Sequence, residues 1–428
     1  MHTIEIPAGL ETGYFVLSDH ALEELSELLR TAFPNQRPWP VADDNTWAAA
    51  GRRAVELLTE AGLSPYEPFI FPGTPRLHPD YRYSQDLAKK IPADAVPVAI
   101  GSGVINDIVK CAADLAGKRY CCVPTACSVD GYAANGGAMA VNGTKKTVRC
   151  PAPYAICADT TVMATAPAPM LSAGYADLLA KLPGGADWLI ADAIGDTPIA
   201  PDIWKLVQGP LRGWLKDCHD SRNILSGLNA TGFSIQMYHD SRPASGAEHL
   251  FSHIWEMEGL QLNGEDISHG FKVGIGVLAS SLLMEFVQKN SFAAVADQMR
   301  PGLTRQERLA EIDELLKRGC YGQEPRETAM RKFMEGKELA ERRNLIESKW
   351  EEIRARIAKQ MPSFEELRKM LKEAGCPIRP AEIGLTSEQF RHGIPAAQLI
   401  RVRYTILDLL YETGLLQAAM RNLDQMDQ

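Results

Sequence analysis

The stretch that decides the fold is Pro97-Val98-Ala99-Ile100-Gly101-Ser102-Gly103-Val104-Ile105-Asn106-Asp107. It has the pattern of a short buried strand, a glycine turn and the first turn of a helix. Glycines at the carboxyl end of a strand let the backbone approach a pyrophosphate, and the following helix directs N–H groups to the same place. The stretch therefore predicts a nucleotide-binding turn. Because it departs from GxGxxG, a structural turn without a ligand is the alternative.

Short apolar runs alternate with helical patterns up to about residue 165, as in a parallel α/β sheet. The expected strands are Trp39–Ala42, Ala95–Ile100, Tyr120–Val123 and Tyr154–Ala158, and the expected helices are Asp19–Leu29, Thr46–Ala61 and Ile105–Ala116. Helical periodicity then takes over, over Pro167–Lys181, Ala247–Leu260, Phe271–Lys289 and Ala397–Thr413. We predict an N-terminal α/β, Rossmann-like nucleotide-binding domain over residues 1–165 and an all-α C-terminal domain over residues 166–428.

The composition is that of an ordinary soluble globular protein. Of 428 residues, 45% are apolar and 23% are charged, which is enough for about two domains with substantial cores. The net charge of -9 gives no reason to expect nucleic acid or an anionic membrane as a partner. No apolar run is long enough to span a bilayer, and nine scattered cysteines suit reduced thiols, so we expect a cytoplasmic protein. The Glu-, Lys- and Arg-rich region of residues 303–373 indicates solvated helix faces.

Polar residues also follow two other expected strands. Pro124-Thr125-Ala126-Cys127-Ser128-Val129-Asp130-Gly131 places two hydroxyls and a carboxylate at a strand end, where Asp130 is expected to bond a substrate hydroxyl. An ordinary turn with self-bonding side chains is the alternative. Asp43 is placed to bond a ribose hydroxyl, which favours NAD over NADP. Asp44 in that role, or simple helix capping, explains the pattern equally well.

A carboxylate and three histidines predict a metal site in the helical part. Asp177 lies inside the apolar stretch Met170–Ala180, where a carboxylate is costly to bury unless a positive group offsets its lost hydration. His249 and His253 share one helix face, and His269 opens the next apolar helix. Zn²⁺, Ni²⁺ and Fe²⁺ all accept two imidazoles and a carboxylate, and spacing alone leaves open which three groups ligate. Such an ion polarises a C–O bond while nicotinamide exchanges hydride.

The chain carries an ordered set of motifs: GSGVIND, VPTACSVDGYA, NGTKK, APAPMLSAGYADLLAK, SGAEHLFSH, HGFKVGIG and RYTILDLLYETGLL. This set resembles the sn-glycerol-1-phosphate dehydrogenases, which belong to the dehydroquinate synthase-like and iron-containing alcohol dehydrogenase superfamily. The resemblance runs from about residue 40 to 415. Its most specific segments are GYADLLAK and SGAEHLFSH.

The resemblance implies a role for each matching residue. Asp177, His249 and His269 would be the metal ligands, and His253 and Asp130 would contact substrate and serve catalysis. Lys145 and Lys146, after the Asn-Gly of an expected hairpin, are our hypothesis for the substrate phosphate, with a solvated hairpin tip as the alternative. Asp177 would also border the substrate. The expected cofactor residues are Asp43, Gly101, Ser102, Gly103, Val104, Ile105, Asn106, Asp107, Thr125, Ala126, Cys127, Ser128 and Ala134.

One departure and one addition qualify the resemblance. The family often has a serine four residues after Asp130, where this chain has Ala134, which leaves NAD or NADP preference and substrate identity open. The long charged region of residues 303–373 is typical of the bacterial branch, which implies a zinc- or nickel-dependent homodimer in phospholipid metabolism.

The expected reaction is NAD(P)(H)-linked, metal-dependent reduction of dihydroxyacetone phosphate to sn-glycerol 1-phosphate, with His253 or solvent delivering the proton. Two alternatives remain. A glycerol or polyol dehydrogenase would share the metal and NAD residues and lack a phosphate anchor. A sugar-phosphate cyclase of the dehydroquinate synthase type would use a glutamate ligand and a richer set of basic residues, and Asp177 argues against it.

Overall fold

The computed structural model describes residues 4–141, 144–319 and 321–427, and of Thr144 and Lys145 the backbone only. Contacts group the chain into two compact units. The first comprises Met1–Gly174 and Arg212–Asp240, and the second comprises Tyr175–Leu211 and Ser241–Gln428. The division at residues 165 and 166 expected from the sequence stays a prediction.

A six-stranded parallel sheet forms the centre of the first unit. Its strands are β1 Tyr14–Ser18, β2 Arg37–Asp43, β3 Phe69–Phe71, β4 Ala95–Gly101, β5 Cys121–Pro124 and β8 Ala155–Asp159. They lie in the order β1-β8-β5-β4-β2-β3. A parallel strand is covered on both faces by helices, which is why continuous apolar runs mark it in the sequence. The four expected strands are confirmed, and the two edge strands β1 and β3 are additions.

A separate antiparallel hairpin joins β5 to β8. It consists of β6 (Gly137–Val141) and β7 (Thr144–Val148), with Val141 opposite Thr144. The expected Asn142-Gly143 turn lies outside the described residues.

The helices number twenty in the described chain. The N-terminal ones are α1 Ala21–Ala32, α2 Asp44–Thr46, α3 Arg52–Glu60, α4 Tyr81–Ala88, α5 Gly103–Leu115, α6 Thr160–Ala164, α7 Ala168–Leu179, α8 Lys181–Ala193, α9 Pro201–Trp214 and α10 Ser221–Tyr238. The remainder are α11 Ala247–Met257, α12 His269–Lys289, α13 Phe292–Val295, α14 Arg305–Leu315, α15 Glu324–Arg331, α16 Gly336–Gln360, α17 Phe364–Glu373, α18 Ser387–Ala397, α19 Ile406–Glu412 and α20 Leu416–Ala419. A π-helical segment, Trp47–Gly51, joins α2 to α3.

Burial explains the strength of the sheet signal. Every residue of β4 is buried, and Val98 and Ile100 pack with Leu25 of α1 and Leu58 of α3 in one core. Each such side chain contributes roughly 1.5–3 kcal/mol relative to exposure. The end of β4 is therefore a rigid base for the glycine turn.

The second unit is helical, as expected, but it also contains a small hairpin, and one of its expected helices is broken in two. Gln261–Leu262 and Glu265–Asp266 form a two-stranded hairpin (β9 and β10) within the otherwise helical segment. The single helix expected over Ala397–Thr413 is wrong: α18 ends at Ala397, and α19 begins after Thr405. Thr405 and Asp408 form a capping box that starts the new helix, a local bond that outweighs apolar periodicity.

Two long helices set the character of this unit. In the described chain, α12 is the one helix long and apolar enough to cross a membrane, and 94% of its apolar window is buried inside the protein. A core helix has the same composition. The charged region contains α16, whose buried residues Leu339, Ile346, Trp350, Ile353 and Ile357 follow one stripe while its charged residues lie outside it.

Candidate metal centre and nucleotide turn

Three side chains of the second unit meet as a compact donor set. Asp177 extends from α7, His249 from α11 and His269 from the first position of α12, and one ligand atom of each lies within 4.8 Å of the others. His249 Nε2 is 3.3 Å from Asp177 Oδ1. Ligand atoms about 2.1 Å from a tetrahedral ion lie roughly 3.4 Å apart, so this spacing fits a divalent metal. The structure thus brings together the three residues expected to ligate.

A buried ammonium already accompanies this carboxylate. Lys181 Nζ lies 3.0 Å from Asp177 Oδ1 and donates to the carbonyl of Ala244 at 3.0 Å, and both charged side chains are fully buried. Burial alone would raise the pKa of Asp177, but the charge of Lys181 and the bond to His249 outweigh it, so this pKa is lowered. Lys181 therefore supplies the positive group that the buried aspartate requires. The sequence alone offered no reason to select Lys181, although it follows Asp177 by one helical turn.

Two glutamates orient the histidine rings. Glu248 Oε1 is 2.9 Å from His249 Nδ1 and also accepts from the backbone N–H of Gly246 at 2.6 Å. Glu256 Oε1 lies 3.5 Å from His269 Nδ1. A carboxylate on Nδ1 fixes the ring and leaves Nε2 for an ion. The histidines differ in charge preference: burial lowers the pKa of His269, whereas at His249 the bonds to Asp177 and Glu248 overcome burial and raise the pKa.

His253 lies beside this set. Its Nδ1 is 3.4 Å from Glu256 Oε2, and its ring stacks on His269 with centroids 6.0 Å apart. Its side chain is 30% exposed. The Glu256 carboxylate also forms an ion pair with Lys272, whose Nζ lies 3.0 Å from Glu256 Oε1. Glu256 therefore contacts two histidines and a lysine, a role that only tertiary contacts reveal.

The nucleotide turn in the first unit has the expected local form. β4 ends at Gly101, Ser102 is the N-cap and α5 begins at Gly103. A Cβ on Gly101 would stand 2.6 Å from that of Ile105, so only glycine permits this close return of the chain. Ser102, Gly103 and Val104 are partly exposed.

Several residues expected at the cofactor instead face the protein. Ile105 is fully buried, and Asn106 is 1% exposed, accepting a bond from the Tyr120 hydroxyl at 3.0 Å. Asp107 accepts from the backbone N–H of Ala138 at 3.1 Å. These side chains fix the turn, and a contact to a cofactor in this segment is left to the backbone and to the partly exposed positions.

The second polar loop is mostly closed. Thr125, Ala126 and Cys127 are 6%, 1% and 2% exposed, and Ala134 is 6% exposed. Burial raises the pKa of Cys127 to about 12, which makes it a structural thiol at neutral pH. Ser128 and Asp130 at the end of the loop are partly exposed.

Three further expected residues, Asp43, Lys145 and Lys146, also belong to the first unit. Asp43 Oδ1 accepts from the backbone N–H of Thr46 at 2.8 Å and forms a capping box with it, so the capping alternative is realised. Lys146 is exposed on β7, opposite Met139. The side chain of Lys145 lies outside the described residues.

Comparisons with known proteins identify similar enzymes. A family model described as iron-containing alcohol dehydrogenase matches residues 16–167. The glycerol-1-phosphate dehydrogenase (NAD(P)+) of Geobacillus stearothermophilus is 28% identical, with 87% of this chain and 86% of the relative covered. The enzyme of the same name from Bacillus licheniformis is 26% identical over 97% of this chain and 92% of the relative.

Solved structures share the fold. A probable glycerol dehydrogenase from Sinorhizobium meliloti 1021 superposes with a TM-score of 0.58 at 15% identity, covering 98% of this chain and 97% of that one. An iron-containing alcohol dehydrogenase from Thermococcus thioreducens gives 0.58 at 15% identity, over 96% and 99%. The expected α/β-plus-helical fold is confirmed. The resemblance is confirmed as well: this chain is similar to the glycerol-1-phosphate dehydrogenases along most of its length, and its residues 16–167 match the iron-containing alcohol dehydrogenase family.

Proposed function

We propose that this enzyme catalyses metal-dependent, NAD(P)H-linked reduction of dihydroxyacetone phosphate to sn-glycerol 1-phosphate. The observation that carries the proposal is the cluster of the buried Asp177 and His249 with the partly exposed His269, whose ligand atoms lie within 4.8 Å of one another. Relatives named glycerol-1-phosphate dehydrogenase that align along nearly the whole chain support the substrate.

The metal would be held by Asp177, His249 and His269, with Glu248 and Glu256 fixing the two rings from behind. A bound divalent ion, Zn²⁺, Ni²⁺ or Fe²⁺, supplies Lewis-acid polarisation of the substrate C–O bond. Imidazole nitrogens suit these ions, and the Asp177 carboxylate adds a negative charge that Lys181 partly offsets.

His253 is proposed as the residue that holds the substrate and moves a proton. Glu256 accepts at its Nδ1, which favours the tautomer protonated on Nδ1 and leaves Nε2 as the basic nitrogen. We assign Asp130 to a substrate hydroxyl, since its loop end is partly exposed. The nicotinamide cofactor is assigned to the turn at Gly101–Gly103 and to the loop at Thr125–Ser128.

Lys145 and Lys146 are proposed to bind the substrate phosphate. A polyol dehydrogenase, the alternative function, would have no such phosphate-binding residues. Lys146 is exposed, as an anion-binding lysine must be. A lysine on a solvated hairpin tip would be equally exposed, so the preference for a phosphorylated or an unphosphorylated substrate distinguishes the two roles. We also propose cytoplasmic location and a homodimer, both expected from the sequence.

The test is NADH oxidation by metal-stripped protein reloaded with Ni²⁺ or Zn²⁺, with dihydroxyacetone phosphate and dihydroxyacetone offered separately. Metal-dependent turnover of the phosphate ester alone supports the proposal, and a Lys145→Ala, Lys146→Ala double variant should then raise its KM. Turnover of the free ketone, with or without the ester, moves the chain to the polyol dehydrogenases.

The metal assignment has its own test. His249→Ala should lose bound metal and activity together, whereas His20→Ala, at an exposed position before α1, should lose neither. Full activity and metal content in His249→Ala would refute the assignment.

A further inference from the structure

A fully buried lysine binds three backbone carbonyls of one loop. Lys110 lies in the second turn of α5, and its side chain has no exposed surface. Its Nζ donates to the carbonyl oxygens of Gly131 at 2.9 Å, Ala134 at 2.8 Å and Gly136 at 3.0 Å. An ammonium has three N–H donors, so these bonds use its full capacity.

Burying the Lys110 ammonium has a free-energy cost that its bonding partners must offset. A buried ammonium needs compensation for its lost hydration, and a nearby carboxylate is its usual partner. Asp107 Oδ1 is 3.6 Å from Lys110 Nζ, and Asp107 also accepts the backbone N–H of Ala138 through Oδ2. The three carbonyls therefore provide most of the direct hydrogen bonding to this charge.

The contacts join two segments of the first unit. Lys110, Asn106 and Asp107 occupy the first two turns of α5, directly after the nucleotide turn. Asn106 Nδ2 makes a longer bond, 3.4 Å, to the same Gly131 carbonyl. The residues they hold, 131–138, follow Asp130 without a break and include Ala134. We call residues 130–138 the clamped loop.

We propose that Lys110 is a positioning residue for the reaction: its ammonium fixes the clamped loop, and with it Asp130, in a set place relative to the nucleotide turn. The proposal rests on the proposed function, because the substrate role of Asp130 belongs to that function. Lys110 itself touches neither substrate nor cofactor. It acts by limiting the positions that Asp130 can occupy, and misplacement of a substrate-binding group by about 1 Å typically costs on the order of a hundredfold in rate.

The chain offers a matched control at the other end of the same helix. Lys118 follows α5, and its Nζ donates to the carbonyls of Ala93 at 2.8 Å and Ala95 at 3.2 Å. Lys118→Met removes lysine-to-carbonyl bonds of the same kind without touching the clamped loop. Lys110→Met removes all three bonds while keeping the length and apolar part of the side chain.

The first measurement is hydrogen–deuterium exchange of a peptide spanning the clamped loop, followed by mass spectrometry. Lys110→Met should speed its exchange by about tenfold or more, as expected when hydrogen bonds from a charged group are lost. Lys118→Met should leave it unchanged. Equal loop exchange in the two variants would overturn the proposal. This measurement needs no turnover, so it stands even if the wild-type protein fails to reduce dihydroxyacetone phosphate, a result that would refute only the proposed function.

The second measurement separates positioning from general stability. In the metal-loaded enzyme, Lys110→Met should lower kcat/KM for dihydroxyacetone phosphate at least about tenfold relative to Lys118→Met. Faster loop exchange with kcat/KM equal to that of the control would make Lys110 purely structural and overturn the proposal. If Lys110→Met does not fold, Lys110→Gln compared with Lys118→Gln decides the question by the same two criteria, since glutamine retains two of the three donors.

Discussion

Lys181→Met tests whether the buried ammonium and a metal ion stabilise the same carboxylate. Lys181 and Asp177 are both fully buried with Nζ and Oδ1 3.0 Å apart, so the substitution leaves Asp177 without its nearest cation and Ala244 without a donor. Removing one partner of a buried pair typically costs about 3–5 kcal/mol. We therefore expect metal-free Lys181→Met to lose stability of that order.

A divalent ion at Asp177, His249 and His269 supplies positive charge to the same carboxylate. The loss should therefore shrink by about 2 kcal/mol at saturating Zn²⁺, which is equivalent to roughly thirtyfold tighter metal binding by the variant. The assay is urea unfolding of chelator-stripped and Zn²⁺-saturated protein, with calorimetric titration of the metal. Lys337→Met is the control, because its i,i+4 pair with Glu341 is solvent-exposed and should contribute little in either state. An equal loss of stability with and without metal, and unchanged affinity, would refute the reasoning.

Two further predictions concern the helical unit. Burial raises the pKa of Glu412 to about 7, above its ordinary value of 4.5, so its contribution to stability is fully present below pH 4.5 and is lost as pH rises through 7. Glu412→Gln keeps an acceptor for the Tyr404 hydroxyl. The free energy of unfolding of this variant relative to wild type should rise by up to about 3 kcal/mol from pH 4.5 to 8. A variant-to-wild-type difference in urea unfolding that stays constant across this range would contradict the prediction. Gly276→Ala would place a Cβ against the backbone carbonyl of Glu248, pushing α12 from α11, and should cost about 1–3 kcal/mol and reduce metal content by elemental analysis. Gly213→Ala, where a Cβ on α9 would meet no atom within 4 Å, should instead stabilise by about 0.5–1 kcal/mol, and similar effects at both glycines would be the contrary result.

The inner strands of the sheet were predictable, because a parallel strand buried on both faces has a continuous run of apolar residues in the sequence. β2, β4, β5 and β8 all lie inside the sheet and were expected, whereas β1 and β3 are its edges. An edge strand has one neighbour and less need for a full apolar run; Ile70 at the centre of β3 is 37% exposed. The break between α18 and α19 was missed because a local capping bond decided it.

The candidate metal donors could be found from the sequence, because Asp177 lies in an apolar helix and His249, His253 and His269 fall close together in the chain. The choice of Asp177, His249 and His269 as the trio came from the family resemblance, because spacing left the three ligands open. The residues that support the trio could not be selected. Glu256 is an ordinary helical glutamate until α12 brings His269 and Lys272 to it, and Lys110 is an ordinary lysine until the loop after β5 folds over it. These roles arise only from tertiary contacts.

The chain order of the two units affects how the protein can be made. The first unit includes Arg212–Asp240, so its sheet is completed by a helix encoded well after the sheet itself. Phe233 of α10 packs edge-on against Phe15 of β1, and Gln236 donates to the Thr12 hydroxyl at 3.0 Å. A fragment cut near residue 165 would expose this apolar surface and should aggregate. During synthesis, the core of the first unit stays open until the ribosome has delivered α10, by which time α7, α8 and α9 have already emerged.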